Sequence, residues 1–209
     1  MSLKTKIKQY GVKNSFNRAV KSLLRRIGIQ YESFYLMVNH IDPNELKQKM
    51  ERYDYSDVKE LTIDDFKTSD PDVFDEKKLQ IIRMRLDNGK HQCYGIFEKE
   101  RLIYSTWIST DRLVFSSPVY KAIPIKSSQA ILEDSYCHPD YRNKGLHSQM
   151  ILFRLNKIIE MGLTEAIAIV VVDNIPAVKT QLKNGFYKEK KIWIVKIFGR
   201  TYYIEKELL

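Results

Sequence analysis

The stretch from residue 129 to residue 160 leaves few folds open to this chain. The apolar and β-branched run Gln129 to Cys137 ends at His138-Pro139. Proline cannot continue a hydrogen-bonded ladder, and it biases the residue before it away from helical space. Beyond the break, Leu146, Met150, Ile151, Phe153, Leu155, Ile158 and Ile159 fall largely at helical spacing, and Gly162 lies where the helix would close. The spacing therefore predicts a strand, a turn and a helix. Between strand and helix stands Arg142-Asn143-Lys144-Gly145, in which a glycine lets backbone amides approach a ligand. The new helix adds unpaired N–H groups and a positive dipole end. Such a turn is an anion site suited to a pyrophosphate; by itself the same string also reads as a solvated basic loop.

The rest of the chain predicts strands and helices around this unit. Tyr31 to Ile41 reads as a strand, and Asp42-Pro43-Asn44 starts a short helix. From residue 55 the predicted order is strand (Val58 to Leu61), two helices, strands Gln92 to Phe97 and Arg101 to Ile108, and the strand-turn-helix. A strand at Ala166 to Val172, a helix after Pro176 and a final hairpin follow. Ala166 to Val172 is an unbroken apolar run, as in a strand buried on both faces. Residues 110–126 hold Pro118 and Pro124 without a clean period and read as a long connection of the kind that borders binding sites. With 209 residues and 44% hydrophobic content the chain can bury one core. The expected organisation is a basic extension over residues 1–54 and a single domain over 55–209.

Charge is unevenly placed. Eight of the 35 lysines and arginines precede the first acidic residue, Glu32, which leaves 27 basic against 26 acidic residues in the remainder. In this basic arm Phe16, Ala19, Val20, Leu23, Leu24 and Ile27 form an apolar stripe behind Ser15, a helix N-cap, with Gly28 at the end. A basic amphipathic helix docks on an anionic surface such as phospholipid or nucleic acid, or else packs on its own domain with a solvated basic outer face. The second arrangement is the expectation, and a nucleic-acid partner is not expected. No apolar run approaches the roughly eighteen residues of a membrane span, and no secretory signal is evident, so the cytoplasm is inferred. Cys93 and Cys137 have no ligand-like spacing and read as buried apolar residues; no metal is expected.

Two motifs in order carry a resemblance. Arg142, Gly145 and His147 fall on the R-x-x-G-x-G/A signature, approached by Pro139-Asp140-Tyr141; Asn174 is followed eleven residues later by Gly185-Phe186. The chain resembles the GNAT superfamily of acyl-CoA-dependent N-acyltransferases over about three quarters of its length. The resemblance implies an α/β (α+β) fold, with a mixed, mostly antiparallel central sheet flanked by helices, here extended by the N-terminal basic helix. It implies acetyl-CoA as cosubstrate and an amine as acceptor. Arg142, Asn143, Lys144, Gly145, Leu146, His147 and Ser148 would take the pyrophosphate. The strand backbone at Ser135, Tyr136 and Cys137 would pair with the pantetheine arm, and Asn174 would hold its thioester end. This chain departs from the pattern twice: His147 replaces a small residue, and Gln181 stands where the family has the tyrosine that protonates the departing thiolate.

Direct transfer needs a base, and Glu133 and Asp134 are nearest in sequence; strand alternation would send them to opposite faces. Ordinary strand-edge pairing is the competing reading of both. Gln181 can donate a hydrogen bond but no proton near neutral pH, which leaves Tyr136, Tyr187 or water as acid. His138 and His147 read as groups that position backbone or touch an anion. Two functions remain: an acetyltransferase acting on an amino sugar, a peptide or a small amine, or a catalytically silent CoA-binding module that the arm tethers to an anionic partner.

Overall fold

A computed structural model describes residues 20–115 and 121–208. The elements in chain order are α1 (residues 20–26), β1 (Ile29–His40), α2 (Pro43–Met50), β2 (Val58–Glu60), α3 (Ile63–Lys67) and α4 (Glu76–Asp87). Then come β3 (His91–Glu98), β4 (Arg101–Ser109), β5 (Arg112–Phe115), β6 (Lys121–Pro124), β7 (Gln129–Cys137) and α5 (Leu146–Glu160). The chain continues through β8 (Glu165–Val171), α6 (Ile175–Lys183), β9 (Tyr187–Ile197) and β10 (Arg200–Glu207). Eight strands form one sheet in the order β10-β9-β1-β8-β7-β4-β3-β2, and only the β7–β8 pair is parallel. This is the mixed, mostly antiparallel sheet flanked by helices that the sequence implies.

Local chemistry sets the ends of the helices. Asp42 Oδ1 accepts from the Asn44 and Glu45 amides at 2.8 and 3.2 Å ahead of α2, and Asp75 accepts from Lys78 N ahead of α4. Asp65 accepts from Thr62 N at 2.7 Å, the return half of a capping box. In the tight turn between β3 and β4, Lys99 and Glu100 both take positive φ, as a two-residue hairpin requires.

Packing divides by sheet face. On one side α5 buries Met150, Ile151, Leu155 and Ile158 against Tyr104, Leu132 and Ala168. On the other side α3 and α4 bury Phe66, Phe74 and Ile82 against Trp107 and Cys93. The β5–β6 hairpin covers the rest of that second face, with Leu113 and Phe115 against Phe34, Ile192 and Ile194. Residues 110–126 thus contribute two paired strands where the sequence suggested an irregular connection. Pro124 closes β6 on the short two-stranded sheet, where a missing N–H is tolerated, and Pro118 lies outside the described residues.

The N-terminal strand and helix both make contacts with the rest of the sheet. Strand β1, assigned by sequence to the extension, is hydrogen-bonded on both sides: Phe34 pairs with Val171 of β8 and with Ile192 of β9. In the described part of the basic helix Val20 and Leu24 are half-buried and Arg25 and Arg26 are exposed. Lys21 turns inward, 2.5 Å from Glu32 and 3.2 Å from Asp173, while Leu23 and Ile27 are exposed. Burial lowers the Lys21 pKa, but its bonds to these two carboxylates outweigh that and raise it. The rest of the predicted stripe, with Ser15, lies outside the described residues. No helix among those described is long and apolar enough to cross a membrane.

Candidate active site

The two central strands part company. The β7–β8 ladder covers only Gln129–Glu165, Ala130–Ala166 and Ile131–Ile167. Beyond it β7 follows β4 as far as Cys137 opposite Tyr104, and β8 follows β1 as far as Val171 opposite Phe34. The C-terminal halves therefore splay, and the backbone groups on the inner edges of the gap have no ladder partner, the position an added extended chain would fill.

At the mouth of the gap lies the turn. Here the His138 amide donates to Ile103 O at 2.9 Å, and Pro139–Tyr141 form one 3₁₀ turn. His138 is buried and its Nδ1 accepts from Asp140 N, a backbone-positioning role. Asn143 and Gly145 both have positive φ, 64° and 84°. Gly145 is the N-cap of α5 and no side chain caps that helix, so its first amides are left to a ligand. Arg142 Nε donates to Cys137 O at 3.3 Å, and Lys144 Nζ sits 4.5 Å from the centre of the Tyr141 ring. Ser148, one turn into the helix, is buried, and its Oγ accepts from Asn184 Nδ2 at 3.1 Å.

His147 does not crowd this turn. Its ring points into the core, with Nδ1 2.5 Å from Tyr104 Oη. Burial, and after it the positive charge of Arg154, push the imidazole pKa down to about 4. Tyr104 is fully buried, which raises its phenol. Both groups are thus neutral near pH 7. Below them Arg154, also fully buried on α5, donates to Trp107 O and Met150 O, each at 3.2 Å. Nothing in the sequence pattern singled out Arg154, which sits at an interior position of an apolar helix.

The two acidic candidates share a face, contrary to simple alternation. Asp134 has φ 41° and the β4–β7 register slips between Ser105 and Trp107, so a bulge turns both carboxylates toward α4. Asp134 lies 3.1 Å from Lys78 Nζ and 2.8 Å from an Arg85 nitrogen. Burial would raise its pKa, but these two cations outweigh it and hold the carboxyl below its ordinary value. Glu133 is left looser: Arg85 is 3.9 Å and His91 Nε2 3.4 Å away, and its Oε1 is buried with no hydrogen-bond partner. It stands opposite Trp107 and two residues from Ile131, where the α3–α4 core meets the hairpin core.

Beside the bulge is a cavity of about 210 Å³ whose lining includes Phe66, Phe74, Trp107, Lys78, Asp134 and Tyr136. Tyr136 Oη is buried without a partner, and burial raises its pKa. Across the gap, Asn174 caps α6 by accepting from Ala177 N. Gln181 on α6 is 5% exposed, with a buried and unpartnered Oε1. The structure thus brings the Ser135–Cys137 backbone and the 142–148 turn to one opening, with orphaned polar atoms at Glu133 and Tyr136 on one sheet face and at Gln181 on α6.

The sequence matches the model of the Acetyltransferase (GNAT) family over residues 55–186, and the chain belongs to that family. Solved structures with the same fold include a GCN5-related N-acetyltransferase-like protein from Streptococcus suis (TM-score 0.56, 14% identity, 87% of this chain and 67% of that one). Another is a GNAT-family acetyltransferase from Colwellia psychrerythraea (TM-score 0.52, 14% identity, 85% and 60%). A third is an aminoglycoside N-acetyltransferase solved with CoA (TM-score 0.50, 15% identity, 63% and 92%). The chain spans less than two thirds of the length of several such relatives, 60% for the Colwellia protein and 66% for one from Novosphingobium aromaticivorans. A comparison with curated proteins finds no match.

Proposed function

We propose that this protein transfers an acetyl group from acetyl-CoA directly to a primary amine. The observation that carries the reading is the opening between β7 and β8, which leads to a helix N-terminus left uncapped behind a left-handed glycine. These residues fit the cosubstrate: uncapped amides of Leu146, His147 and Ser148 for the pyrophosphate, and the inner edge of Ser135–Cys137 for pantetheine. When bound, acetyl-CoA supplies an activated thioester. Glu133, with an unused buried oxygen, takes the proton from the incoming ammonium, while Asp134 stays committed to Lys78 and Arg85. Tyr136 keeps its proton near neutral pH and has a free hydrogen bond to give, so it is our choice of donor to the departing sulfur. The acceptor enters along the aromatic cavity beside the bulge. Incubating the protein with acetyl-CoA and a panel of amino sugars, peptides and small amines, and following free thiol, tests the reading. CoA binding without amine-dependent thiol release would favour the silent CoA-binding module.

Gly145→Val should weaken acetyl-CoA binding about tenfold to a hundredfold. A Cβ at this position would meet no atom within 4 Å, so sterics do not forbid it. The φ of 84° does: a β-branched residue there costs about 1–3 kcal/mol, and relaxing it turns the amides away. Calorimetry on the folded variant checks this, and unchanged affinity would remove the turn from the site.

Gln181→Ala should slow turnover by about tenfold or less. An amide cannot protonate a thiolate, and one hydrogen bond contributes about 0.5–1.5 kcal/mol. Steady-state kinetics decide; a loss of several decades at unchanged CoA affinity would give Gln181 a larger role.

A further inference from the structure

The sheet end built from α1, β9 and β10 carries a surface that acetyl transfer does not use. Val20 and Leu24 of α1 are half-buried, yet other apolar side chains at this end face solvent. Lys21 is tied down by Glu32 and Asp173, with its ammonium 5.3 Å from the Tyr31 ring, while Leu23 is 63% and Ile27 56% exposed. Leu23 is on α1 and Ile27 in the turn that closes it, where the Ile27 amide donates to Leu24 O at 3.1 Å. The turn of the β9–β10 hairpin adjoins them. Phe198 N donates to Gly28 O at 3.2 Å, a Cβ on Gly28 would lie 3.2 Å from the Phe198 ring, and Phe198 itself is 80% exposed. Three large apolar side chains therefore project together, flanked by the exposed Arg25, Arg26 and Arg200.

The charge continues along the same face. Tyr31, Ser33 and Tyr35 of β1 lie opposite Val195, Trp193 and Lys191 of β9, and Lys191 lies opposite Lys206 of β10. An open groove of about 470 Å³ runs here between Lys188, Lys191, Lys206, Tyr35, Trp193 and Leu208. Lys188 and Lys191 rest against the Tyr35 and Trp193 rings at 4.3 and 4.8 Å; none of the three lysines makes an ion pair among the described residues. Like charges directly opposite in a sheet are destabilising unless something anionic joins them. Residues 1–19 enter α1 with Lys4, Lys6, Lys8, Lys13 and Arg18 and no acidic residue.

We propose that this end of the sheet docks on an anionic phospholipid surface, with Leu23, Ile27 and Phe198 entering the acyl boundary and the arginines and lysines meeting headgroup phosphates. A nucleic acid would satisfy the lysines but has no use for exposed Leu and Ile, whereas a bilayer takes both kinds of group. Aromatic rings such as Trp193 and Tyr202 suit the same interface.

Flotation of the full chain with phosphatidylcholine vesicles, with and without phosphatidylglycerol, tests this. Binding is expected only to the phosphatidylglycerol vesicles and should fall with salt. Arg25→Gln with Arg26→Gln should weaken it about thirtyfold, at roughly one kcal/mol per charge. Ile27→Ser with Phe198→Asn should weaken it by about tenfold or more, asparagine tolerating the φ of 45° at residue 198. Acetyl-CoA affinity and thermal midpoint should stay unchanged in all variants. Equal or absent binding to the two vesicles overturns the proposal. So does tighter binding to a duplex oligonucleotide that ignores Ile27→Ser with Phe198→Asn, or a dimer in sedimentation that this pair dissolves without any vesicle binding.

Discussion

Glu133→Gln is expected to lower kcat by about a hundredfold to ten-thousandfold while leaving acetyl-CoA affinity unchanged. General-base assistance contributes roughly that factor, and the amide keeps the shape of the side chain but cannot accept a proton. Glu133 is the better base because of what surrounds it, since both carboxylates face α4. The two cations within 3.1 Å of Asp134 stabilise its charged form and so lower its proton affinity. Glu133 Oε1 is buried and accepts no hydrogen bond, with His91 Nε2 3.4 Å from it. Asp134→Asn should accordingly lose stability more than rate. Single-turnover kinetics with saturating acetyl-CoA measure the chemical step directly; a Glu133→Gln enzyme within about threefold of the parent would end the assignment.

The second large effect concerns pH. Protein stability should fall as pH drops from about 6.5 toward 4, by about 3 kcal/mol in total through His147 alone. The sign follows from which state binds the proton. Unfolded, the imidazole titrates near 6.5; folded, burial and Arg154 hold its pKa at about 4. Above pH 6.5 both states are neutral and the native state has its full stability. Between the two values only the unfolded chain takes up the proton, so acid favours unfolding. Denaturant titrations at pH 7 and pH 5 avoid most carboxylate protonation. His147→Gln, which keeps a group able to bond Tyr104, should flatten that difference; an identical slope in the variant would show that His147 titrates normally.

What the sequence revealed is what nearest neighbours along the chain decide. Pro139 stops β7, Gly145 opens α5, and Asp42-Pro43-Asn44 marks the start of α2, because each acts through backbone only a few positions away. The family motifs are of the same kind, since the turn would bind through its own amides. The bulge at Asp134 left no such mark: a non-glycine residue with positive φ is imposed by the slipped pairing of β4 with β7, and neither strand alone specifies it. That one residue decides which faces the two carboxylates take. The inward turn of Lys21 escaped for a related reason. Periodicity identified an apolar stripe, yet the carboxylates that capture Lys21 come from β1 and from the end of β8, 152 residues downstream in the case of Asp173. Arg154 hid inside an apolar helix because its partners are backbone carbonyls, one of them on β4.

The place of β1 in the sheet has a consequence in time. It leaves the ribosome ahead of every other described strand, yet it lies between β8 and β9, and the nearest of its partners, Glu165 opposite His40, is 125 residues downstream. At about 5–20 residues per second, some 6–25 s pass before that partner exists. Throughout that interval Phe34-Tyr35-Leu36-Met37-Val38 is a β-prone apolar segment with both edges unpaired, the kind of sequence that seeks other chains. The half-sheet β2-β3-β4-β7 can form in order of synthesis, whereas the half that holds β1 must wait for the C-terminal hairpin. Nascent-chain protection is therefore a requirement that this topology places on its host.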